Sequence, residues 1–305
     1  MENDNITSND GLKTQEAVRE LLKRVGLVAE PVQTEMGGEE NTILSTESLT
    51  RRFGDLTAVN SLTISVKGAE VFGLLGPNGA GKTTVIKMLT TLLPATTGSA
   101  SVGGFDIAHH ASQIRRIIGY VPQLLSADGA LTGFENLEVF AKLYDIPRSE
   151  RAPRIHDALA FMDLSGVSNK LVRTYSGGMI RRLEIAESML HRPQVLFLDE
   201  PTVGLDPTAR HAVWEHIQQL RTDYGTTIFL TTHYMEEADH LCDRVAFMHM
   251  GKVTAIGTPL SLKASIGGNG VTLDDVFAHY TGDSLVEGDT YRETARTRRT
   301  TQRLG

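Results

Sequence analysis

Residues 76–84, Gly-Pro-Asn-Gly-Ala-Gly-Lys-Thr-Thr, form a glycine-rich loop that ends in a lysine and two threonines. An apolar run of strand length, residues 71–75, precedes the loop, and apolar side chains recur at helical spacing over residues 83–93. The loop therefore lies at a helix N-terminus, where unpaired N–H groups and the helix dipole favour phosphate. We predict that Lys82 reaches the β- and γ-phosphates of a nucleotide and that the Thr83 hydroxyl binds Mg²⁺. A turn that binds nothing would not explain the Lys-Thr pair.

All residues of this loop are predicted nucleotide contacts: Gly76, Pro77, Asn78, Gly79, Ala80, Gly81, Lys82, Thr83 and Thr84.

Two adjacent carboxylates, Asp199 and Glu200, end a second apolar run, residues 195–198, and Pro201 stops it. In parallel sheets, ligand chemistry collects at the carboxyl ends of strands. There Asp199 can bind Mg²⁺ while Glu200 orients the attacking water, the two roles that metal-assisted hydrolysis of a nucleotide requires. The alternative is a solvated Asp-Glu pair at a strand end, and the phosphate-binding loop earlier in the chain makes it the weaker interpretation.

A second candidate anion site is Ser176-Gly177-Gly178, which precedes a basic and apolar run, residues 180–186, with a helical pattern. Serine and glycines at a helix start leave N–H groups open to an anion. The chain thus has two phosphate-type helix starts but a lysine in only one of them. This difference indicates that one of the two serves a neighbouring molecule.

The elements that must position these side chains follow from periodicity. Residues 43–104 are rich in strands, with strict alternation over residues 62–66, which predicts a small antiparallel layer. Residues 124–192 are mainly helical, with apolar stripes that we interpret as core, although a cofactor-binding role is the alternative. Residues 195–257 alternate strands and helices, as βαβ units with a parallel sheet do. The sequence therefore predicts an α/β fold.

We expect three regions along the chain. Residues 1–42 form an acidic N-terminal extension with a short amphipathic helix around residues 18–25, residues 43–260 form the nucleotide-binding domain, and residues 261–305 form a short C-terminal region. The last of these ends in an Arg-rich tail, residues 291–305. The tail would be attracted to anionic lipid headgroups, or else it is a solvated, disordered segment.

Composition excludes several classes of protein. With 305 residues, 40% hydrophobic and 22% charged, the chain can bury a sizeable core. Its 30 Lys and Arg against 37 Asp and Glu lack the basic excess of a nucleic-acid-binding protein, so we expect no nucleic-acid partner. Cys242 is the sole cysteine, which fits a reducing compartment, and we expect it to be buried. The sequence shows neither a membrane-spanning run nor a signal peptide, so we expect a cytoplasmic chain.

Three further motifs complete a resemblance to the ATP-binding cassette (ABC) ATPase family. Gln123, in Gly-Tyr-Val-Pro-Gln, is similar to the family's Q-loop; Asp206, in Gly-Leu-Asp, to its D-loop; and His233 to its switch histidine. Ser-Gly-Gly is the core of its signature. The motifs occur in the family's order over about residues 45–260. The resemblance implies a P-loop NTPase core with a small antiparallel β layer and an inserted helical subdomain, about residues 124–192.

The resemblance also implies roles for single residues. Phe53 would stack on adenine, where a Tyr is commoner, and a core aromatic is the alternative. Gln123 would contact Mg²⁺ and sense a transmembrane partner, with an ordinary polar loop residue as the alternative. His233 would contact the γ-phosphate, unless it is a structural histidine. Asp206 would lie at a dimer interface, although N-capping of a helix would also explain it.

The signature departs from the family's commonest form at two positions, since Tyr175 and Met179 stand where Leu and Gln are most frequent. Any contact made by that Gln cannot be transferred to this chain. The variant is similar to the daunorubicin-resistance type of exporter ATPase, as are residues 272–277. Many of those proteins have a longer segment before the latter stretch, where this chain has only residues 263–271.

The resemblance implies an ATP-hydrolysing subunit that uses ATP and Mg²⁺. Two subunits, identical or paired with a second ATPase, would dimerise head to tail, with each ATP between the Lys82 loop of one and Ser176–Gly178 of the other. They would drive efflux of a drug, lipid or other hydrophobic compound through a separate permease, at the cytoplasmic face of the cell membrane. The alternatives are an ABC importer and a soluble ABC ATPase of translation, DNA or iron–sulfur assembly.

Overall fold

The computed structural model describes residues 41–267 and 270–282 of the chain. The helix predicted around residues 18–25 and the Arg-rich tail predicted for residues 291–305 lie outside the described residues. Within them, no helix has both the length and the apolar character needed to span a bilayer.

The described strands, in chain order, are β1 (Thr42–Phe53), β2 (Leu56–Lys67), β3 (Val71–Leu75), β4 (Thr97–Val102), β5 (Phe105–Asp106), β6 (Ile118–Val121), β7 (Val195–Asp199), β8 (Thr227–Thr232), β9 (Arg244–His249) and β10 (Lys252–Gly257). The described α-helices are α1 (Lys82–Leu89), α2 (Ala111–Ile117), α3 (Gly133–Leu143), α4 (Arg148–Phe161), α5 (Gly177–Met189), α6 (Pro207–Tyr224), α7 (Met235–Leu241), α8 (Pro259–Ile266) and α9 (Leu273–Thr281).

The predicted antiparallel layer is a four-stranded sheet in the order β2-β1-β4-β5. In β2, Leu62, Ile64 and Val66 are buried while Thr63 and Ser65 between them are exposed, as strict alternation requires of a sheet with one solvated face. The hairpin of β1 and β2 places the end of β2 directly before β3. The prediction of this layer is confirmed.

The second sheet has six strands in the order β10-β9-β3-β8-β7-β6. Strands β6, β7, β8, β3 and β9 pair in parallel, and β10 joins the edge antiparallel to β9. Every residue of β3, β7 and β8 is buried, because apolar clusters cover both faces of the sheet. The predicted α/β fold is confirmed, and adjacent parallel strands bring the residues that follow β3, β7 and β8 to one edge.

The helical stretch packs as predicted from its apolar stripes. Leu137 on α3, Ile155 and Leu159 on α4 and Leu183 on α5 are all fully or almost fully buried and belong to one apolar cluster. Helix α3 begins with a capping box, in which the Thr132 hydroxyl accepts from the Glu135 N–H and the Glu135 carboxylate accepts from the Thr132 N–H. The stripes form core.

Helix α1 is shorter than predicted. The apolar pattern predicts a helix to residue 93, whereas α1 ends at Leu89. There the Thr90 hydroxyl donates to the Ile86 carbonyl at 2.8 Å, and Thr91 takes a left-handed φ of 61° that turns the chain. A hydroxyl that bonds back to the preceding turn competes with continued helix, which the hydrophobic period does not report.

The last two helices pack on the parallel sheet rather than apart from it. Leu262 of α8 and Phe277 of α9 are buried in the main apolar cluster, and the Phe277 ring lies 5.7 Å from that of Phe247 on β9. Cys242 is buried beside β3, as predicted, and burial raises the pKa of its thiol.

Candidate active site

The glycine-rich loop joins the end of β3 to the start of α1. Gly81 precedes the helix with a φ of 110°, and a Cβ there would collide with the carbonyl oxygen of Ala58, so that position requires glycine. Gly79 has a φ of 84°, and a Cβ on it would meet no atom within 4 Å. The loop is thus packed tightly where it meets the protein and leaves free space at Gly79, which suits the approach of a phosphate to its backbone.

The Lys82 side chain is buried at the centre of the site, with 5% of its surface exposed. Its ammonium donates to the carbonyl oxygens of Gly76 at 2.7 Å and Pro77 at 3.1 Å, and lies 3.0 Å from Oε1 of Glu200. A buried charge costs free energy unless it is paired and hydrogen-bonded, and here it is both. The loop therefore directs one cation toward the same point as the carboxylate that follows β7.

Asp199 and Thr83 lie together at the mouth of the loop. The Thr83 hydroxyl donates to Oδ1 of Asp199 at 3.2 Å, and the Thr231 hydroxyl at the end of β8 donates to the same oxygen at 2.6 Å. In the described part of the chain no group of three His, Cys, Asp or Glu side chains could hold a metal alone. One carboxylate with one hydroxyl fits Mg²⁺, since this ion takes its other oxygens from substrate phosphates and water.

Several side chains of the site contact the Glu200 carboxylate. Besides Lys82, Gln123 donates to it through Nε2 at 3.2 Å, and Nδ1 of His233 lies 3.2 Å from Oε2. At this distance a protonated His233 would form an ion pair with Glu200. Glu200 thus contacts side chains from three other segments of the chain.

Electrostatics and backbone geometry both fix Glu200. Burial acts to raise the pKa of its carboxyl, but the contacts with His233 and Lys82 outweigh burial and hold the pKa below its ordinary value. The carboxylate is therefore ionised at neutral pH. Its backbone has a left-handed φ of 50°, and its N–H donates to Thr231, to the carbonyl at 3.0 Å and to the hydroxyl at 3.1 Å. Such a conformation persists only where the surroundings hold it.

The Ser-Gly-Gly site, Ser176–Gly178, has a different environment. The Ser176 hydroxyl caps α5 by accepting from the Met179 N–H at 3.3 Å, and both Ser176 and Gly177 are exposed. A Cβ on Gly177 would meet only Leu205, at an ordinary 3.6 Å, whereas a Cβ on Gly178 would lie 2.6 Å from that of Ala209. Packing within the chain thus explains Gly178 and leaves Gly177 open to another molecule.

Asp206 and Phe53 lie outside the cluster around Glu200. Asp206 is exposed and caps α6, accepting from the Ala209 N–H at 2.9 Å, so the capping role exists whatever else Asp206 does. Phe53 is 45% exposed, with the Arg51 guanidinium 4.5 Å from its ring centre. It is therefore not a core aromatic. The predicted residues that the described chain does bring together are Lys82, Thr83, Gln123, Asp199, Glu200 and His233.

Motif reasoning missed three residues near the site. Thr231 belongs to no motif, although it pairs with Asp199 in the parallel register of β7 and β8 and so lies at the same sheet edge. Two threonines closing an apolar strand were the available signal. Arg181 and Glu184 on α5 contact the segment that contains Gln123, and a helical pattern of charges gave no sign of this contact.

Comparison with known proteins agrees with this geometry. The ABC transporter family model matches residues 59–203. A daunorubicin resistance ATP-binding protein of Streptomyces coeruleorubidus is 43% identical over 229 residues, which are 75% of this chain and 72% of that protein. The Nod factor export ATP-binding protein I of Ralstonia nicotianae is also 43% identical, over 72% of this chain and 68% of that protein.

A solved structure of the ATP-binding subunit of an ABC transporter is similar to this fold with a TM-score of 0.70 at 30% identity, over 79% of this chain and all of that one. The matched family region contains the phosphate-binding loop, Gln123, the Ser-Gly-Gly site and the carboxylate pair. The resemblance stated from the motifs is confirmed: the chain belongs to the ABC transporter family, as an ATP-binding subunit that hydrolyses ATP.

Proposed function

We propose that this chain powers an exporter by binding ATP between two ATPase subunits arranged head to tail, either two copies of this chain or this chain and a paired second subunit. The observation behind this proposal is the contrast between its two phosphate-type helix starts. The loop before α1 is surrounded by a cation, carboxylates and hydroxyls of its own chain. The Ser-Gly-Gly site has the Ser176 hydroxyl, which caps α5, and leaves Gly177 open.

Binding of ATP would begin at the loop. Backbone N–H groups of residues 76–84 would surround the β- and γ-phosphates, and the ammonium of Lys82 would exchange its carbonyl partners for phosphate oxygens. Phe53 is exposed and therefore free to stack on the adenine ring. Both interactions orient the triphosphate so that its γ end points at Glu200.

Mg²⁺ would be held by Thr83, Asp199 and Gln123. When bound, the ion neutralises charge that develops on the phosphates during transfer. The hydrogen bond from the Thr231 hydroxyl keeps Oδ1 of Asp199 directed to this position. Gln123 is tied to Glu200 by its side-chain amide, so it links the ion to the hydrolytic carboxylate.

Hydrolysis would require an oriented water on the far side of the γ-phosphate. Glu200 is ionised and can accept a hydrogen bond from that water and then its proton. The oxygen of that water would bond to the γ-phosphorus while the bond from the γ-phosphorus to the bridging oxygen breaks, giving ADP and phosphate. His233, which lies 3.2 Å from Glu200, would contact the γ-phosphate, and Lys82 would stabilise the charge on the leaving side.

The second subunit would supply its Ser-Gly-Gly site to the same nucleotide, with Asp206 near the contact between the subunits. ATP would favour the closed dimer, and its hydrolysis would favour separation. These two states are what alternating access in a membrane permease requires. Leu124, which follows Gln123 directly, is 81% exposed and is therefore available to a permease on the cytoplasmic side of the membrane.

The proposed cargo is a drug, a lipid or another hydrophobic compound. Names of relatives support an exporter, since one is a daunorubicin resistance protein and the other a Nod factor export protein. Both are 43% identical to this chain, so the degree of identity does not select between their cargoes. We therefore assign cargo choice to the permease, and the non-transport alternatives lose support.

The test is affinity purification of tagged Glu200→Gln protein with ATP from detergent-solubilised membranes of its host. The substitution should retain ATP and trap the closed dimer. We expect stoichiometric recovery of a polytopic membrane protein. The matched control combines Lys82→Ala with Glu200→Gln, and should bring down less of it because ATP no longer binds. Recovery of ribosomes or assembly factors instead of a membrane protein would overturn the exporter proposal.

A further inference from the structure

Helix α5 contains a buried ion pair below the Ser-Gly-Gly site. Nη1 of Arg181 lies 3.0 Å from Oε2 of Glu184, and the two residues are only 1% and 3% exposed. A buried pair of this kind is weak evidence for stability, because the cost of taking both charges out of water offsets much of their mutual attraction. Stability therefore does not explain why the pair is buried here, and we turn to the other groups that it contacts.

The other side-chain hydrogen bonds of the pair go to the Q-segment, which we define as residues 122–126. Arg181 donates to the carbonyl oxygens of Pro122 and Gln123, both at 2.7 Å. Glu184 accepts from the Ser126 N–H and, at 3.1 Å, from the Ser126 hydroxyl. The backbone of the Q-segment is thus fastened to one face of α5 at both of its ends.

Gln123 is consequently held from two sides. Its carbonyl is fixed by Arg181, and its side-chain amide donates to Glu200 at 3.2 Å. Arg181 is one helical turn from Gly177, a rise of about 6 Å along α5. Because a helix of this length moves as a rigid element, a displacement of the Ser-Gly-Gly site must displace the main chain of Gln123 as well.

We propose that Arg181 and Glu184 are a positioning pair. When the Ser-Gly-Gly site moves, the pair moves Gln123 in the ATP site of the same chain. Engagement of that site by the partner's nucleotide would then bring Gln123 to its working position here. The two ATP sites of a dimer would thereby respond to each other. This inference rests on the head-to-tail dimer proposed above.

The chemistry of the pair suits this role. A guanidinium is a planar fork whose parallel donors fix the orientation of the groups that they bind, and here they bind two successive carbonyls. Glu184 keeps the fork in place and holds Ser126 with its second oxygen. A lysine at position 181 would place one point charge there and would not fix the orientation of the peptide.

The test combines Arg181→Met with Glu184→Gln in the whole chain. Replacing both partners avoids the unpaired buried charge that a single substitution creates. The carbonyl oxygen of the introduced amide can still accept from Ser126. The matched control is Glu138→Gln with Lys142→Met, an exposed ion pair at 3.1 Å on α3. Thermal unfolding checks that each variant is folded, and Arg181→Lys, which keeps the charge, replaces the double variant if that one fails to fold.

We expect the double variant to bind ATP with a Kd within about twofold of wild type, since the loop before α1 is intact. Its kcat should fall by about tenfold to a hundredfold, the scale of a small misplacement at a reacting centre. The Hill coefficient of ATP hydrolysis should fall toward one, because coupling between the two sites is lost. Arg181→Lys should lie between wild type and the double variant, and the control pair should match wild type.

A cycle with Gln123→Ala shows whether the pair acts through Gln123. If it does, adding Gln123→Ala to the double variant should lower kcat little further. Independent, multiplicative losses would overturn the inference, as would an unchanged kcat and Hill coefficient in a folded double variant. Wild-type protein that hydrolyses ATP without dimerising would overturn the proposed dimer. This result is distinct from the two outcomes that would overturn the role of the positioning pair alone.

Discussion

The N-termini of α1 and α5 have similar local sequences, but the first is buried among side chains of its own chain and the second is exposed. Each helix begins with glycines next to a residue suited to anions, Lys82 in one and Ser176 in the other. Lys82 is 5% exposed and contacts groups of the segments that follow β3 and β7. Ser176 and Gly177 are exposed. We infer that the first start binds the phosphates with groups of its own chain, and it is here called the complete site, whereas the second is half of a site that a partner subunit would complete.

The glycines show the same difference. Gly81 is required because a side chain would collide with Ala58, and Gly178 because one would collide with Ala209. By contrast, a Cβ on Gly79 would meet no atom within 4 Å, and one on Gly177 would meet only Leu205, at an ordinary contact distance of 3.6 Å. Each helix start therefore has one glycine that packing requires and one position, Gly79 or Gly177, where packing leaves room for a ligand. In the proposed dimer, nucleotide bound at the first start of one subunit would complete the second start of its partner.

The largest effects should follow from changes at the complete site. Glu200→Gln removes the proton acceptor, so kcat should fall by roughly 10² to 10⁴-fold while ATP binding is retained. Lys82→Ala should instead weaken ATP binding, because the phosphate loses its cation. Single-turnover hydrolysis and equilibrium binding measure the two quantities separately. Hydrolysis at the wild-type rate by the Gln variant would remove Glu200 from its role.

Substitutions of the two signature glycines test whether the second start is half of a site. Gly177→Ala should leave the free energy of unfolding nearly unchanged, yet lower turnover by about tenfold or more, because the methyl group meets the partner's nucleotide and misplaces it. Gly178→Ala should lower the free energy of unfolding by about 1–3 kcal/mol through its clash with Ala209. Denaturant unfolding and ATPase assays separate the two. Full ATPase activity of Gly177→Ala would show that the start of α5 is not half of a nucleotide site.

Glu187, a buried residue of α5, should make the free energy of unfolding depend on pH. Burial, reinforced by the neighbouring Glu184, raises the pKa of Glu187 to about 8 from 4.5. The folded protein therefore holds a proton that the unfolded chain has released, and its free energy of unfolding falls as pH rises from about 5 to 8. Glu187→Gln should remove this loss. The free energy of unfolding of the variant minus that of wild type should therefore increase by roughly 1 kcal/mol for each pH unit in that window.

Denaturant unfolding at several pH values measures this slope. Glu138→Gln, at an exposed position on α3, is the control and should show no comparable difference from wild type. Parallel pH profiles for wild type and Glu187→Gln would mean that Glu187 does not hold the proton.

The smallest effect is expected at the edge of the complete site. Phe53→Ala should raise the Kd for ATP by about twofold to tenfold, the contribution of one stacked aromatic ring. Phe53→Tyr should restore binding. Leu56→Ala, at an exposed position of the same hairpin, is the control. Equal Kd values for Phe53→Ala and wild type would place adenine elsewhere.

Local patterns predict the elements well where the chain is strongly periodic. The alternation in β2 follows from residue spacing, and the strands at residues 71–75 and before Glu200 follow from apolar runs of strand length. The end of α1 does not, because the side chain of Thr90 and the turn at Thr91 decide it. Hydrophobic periodicity reports which face is buried and says little about where a helix stops.

The sequence by itself determined the family, the phosphate-binding loop and the placing of Asp199 and Glu200 at a strand end, because each depends on residues close together in the chain. Only the tertiary structure decided that Gln123, His233 and Lys82 meet at Glu200.

The tertiary structure also decided which signature glycine is packed and which is open, and that Arg181 holds the backbone of the Q-segment. These contacts join residues far apart in sequence. Their geometry depends on how strands and helices pack against one another, and no local pattern of residue types encodes that packing.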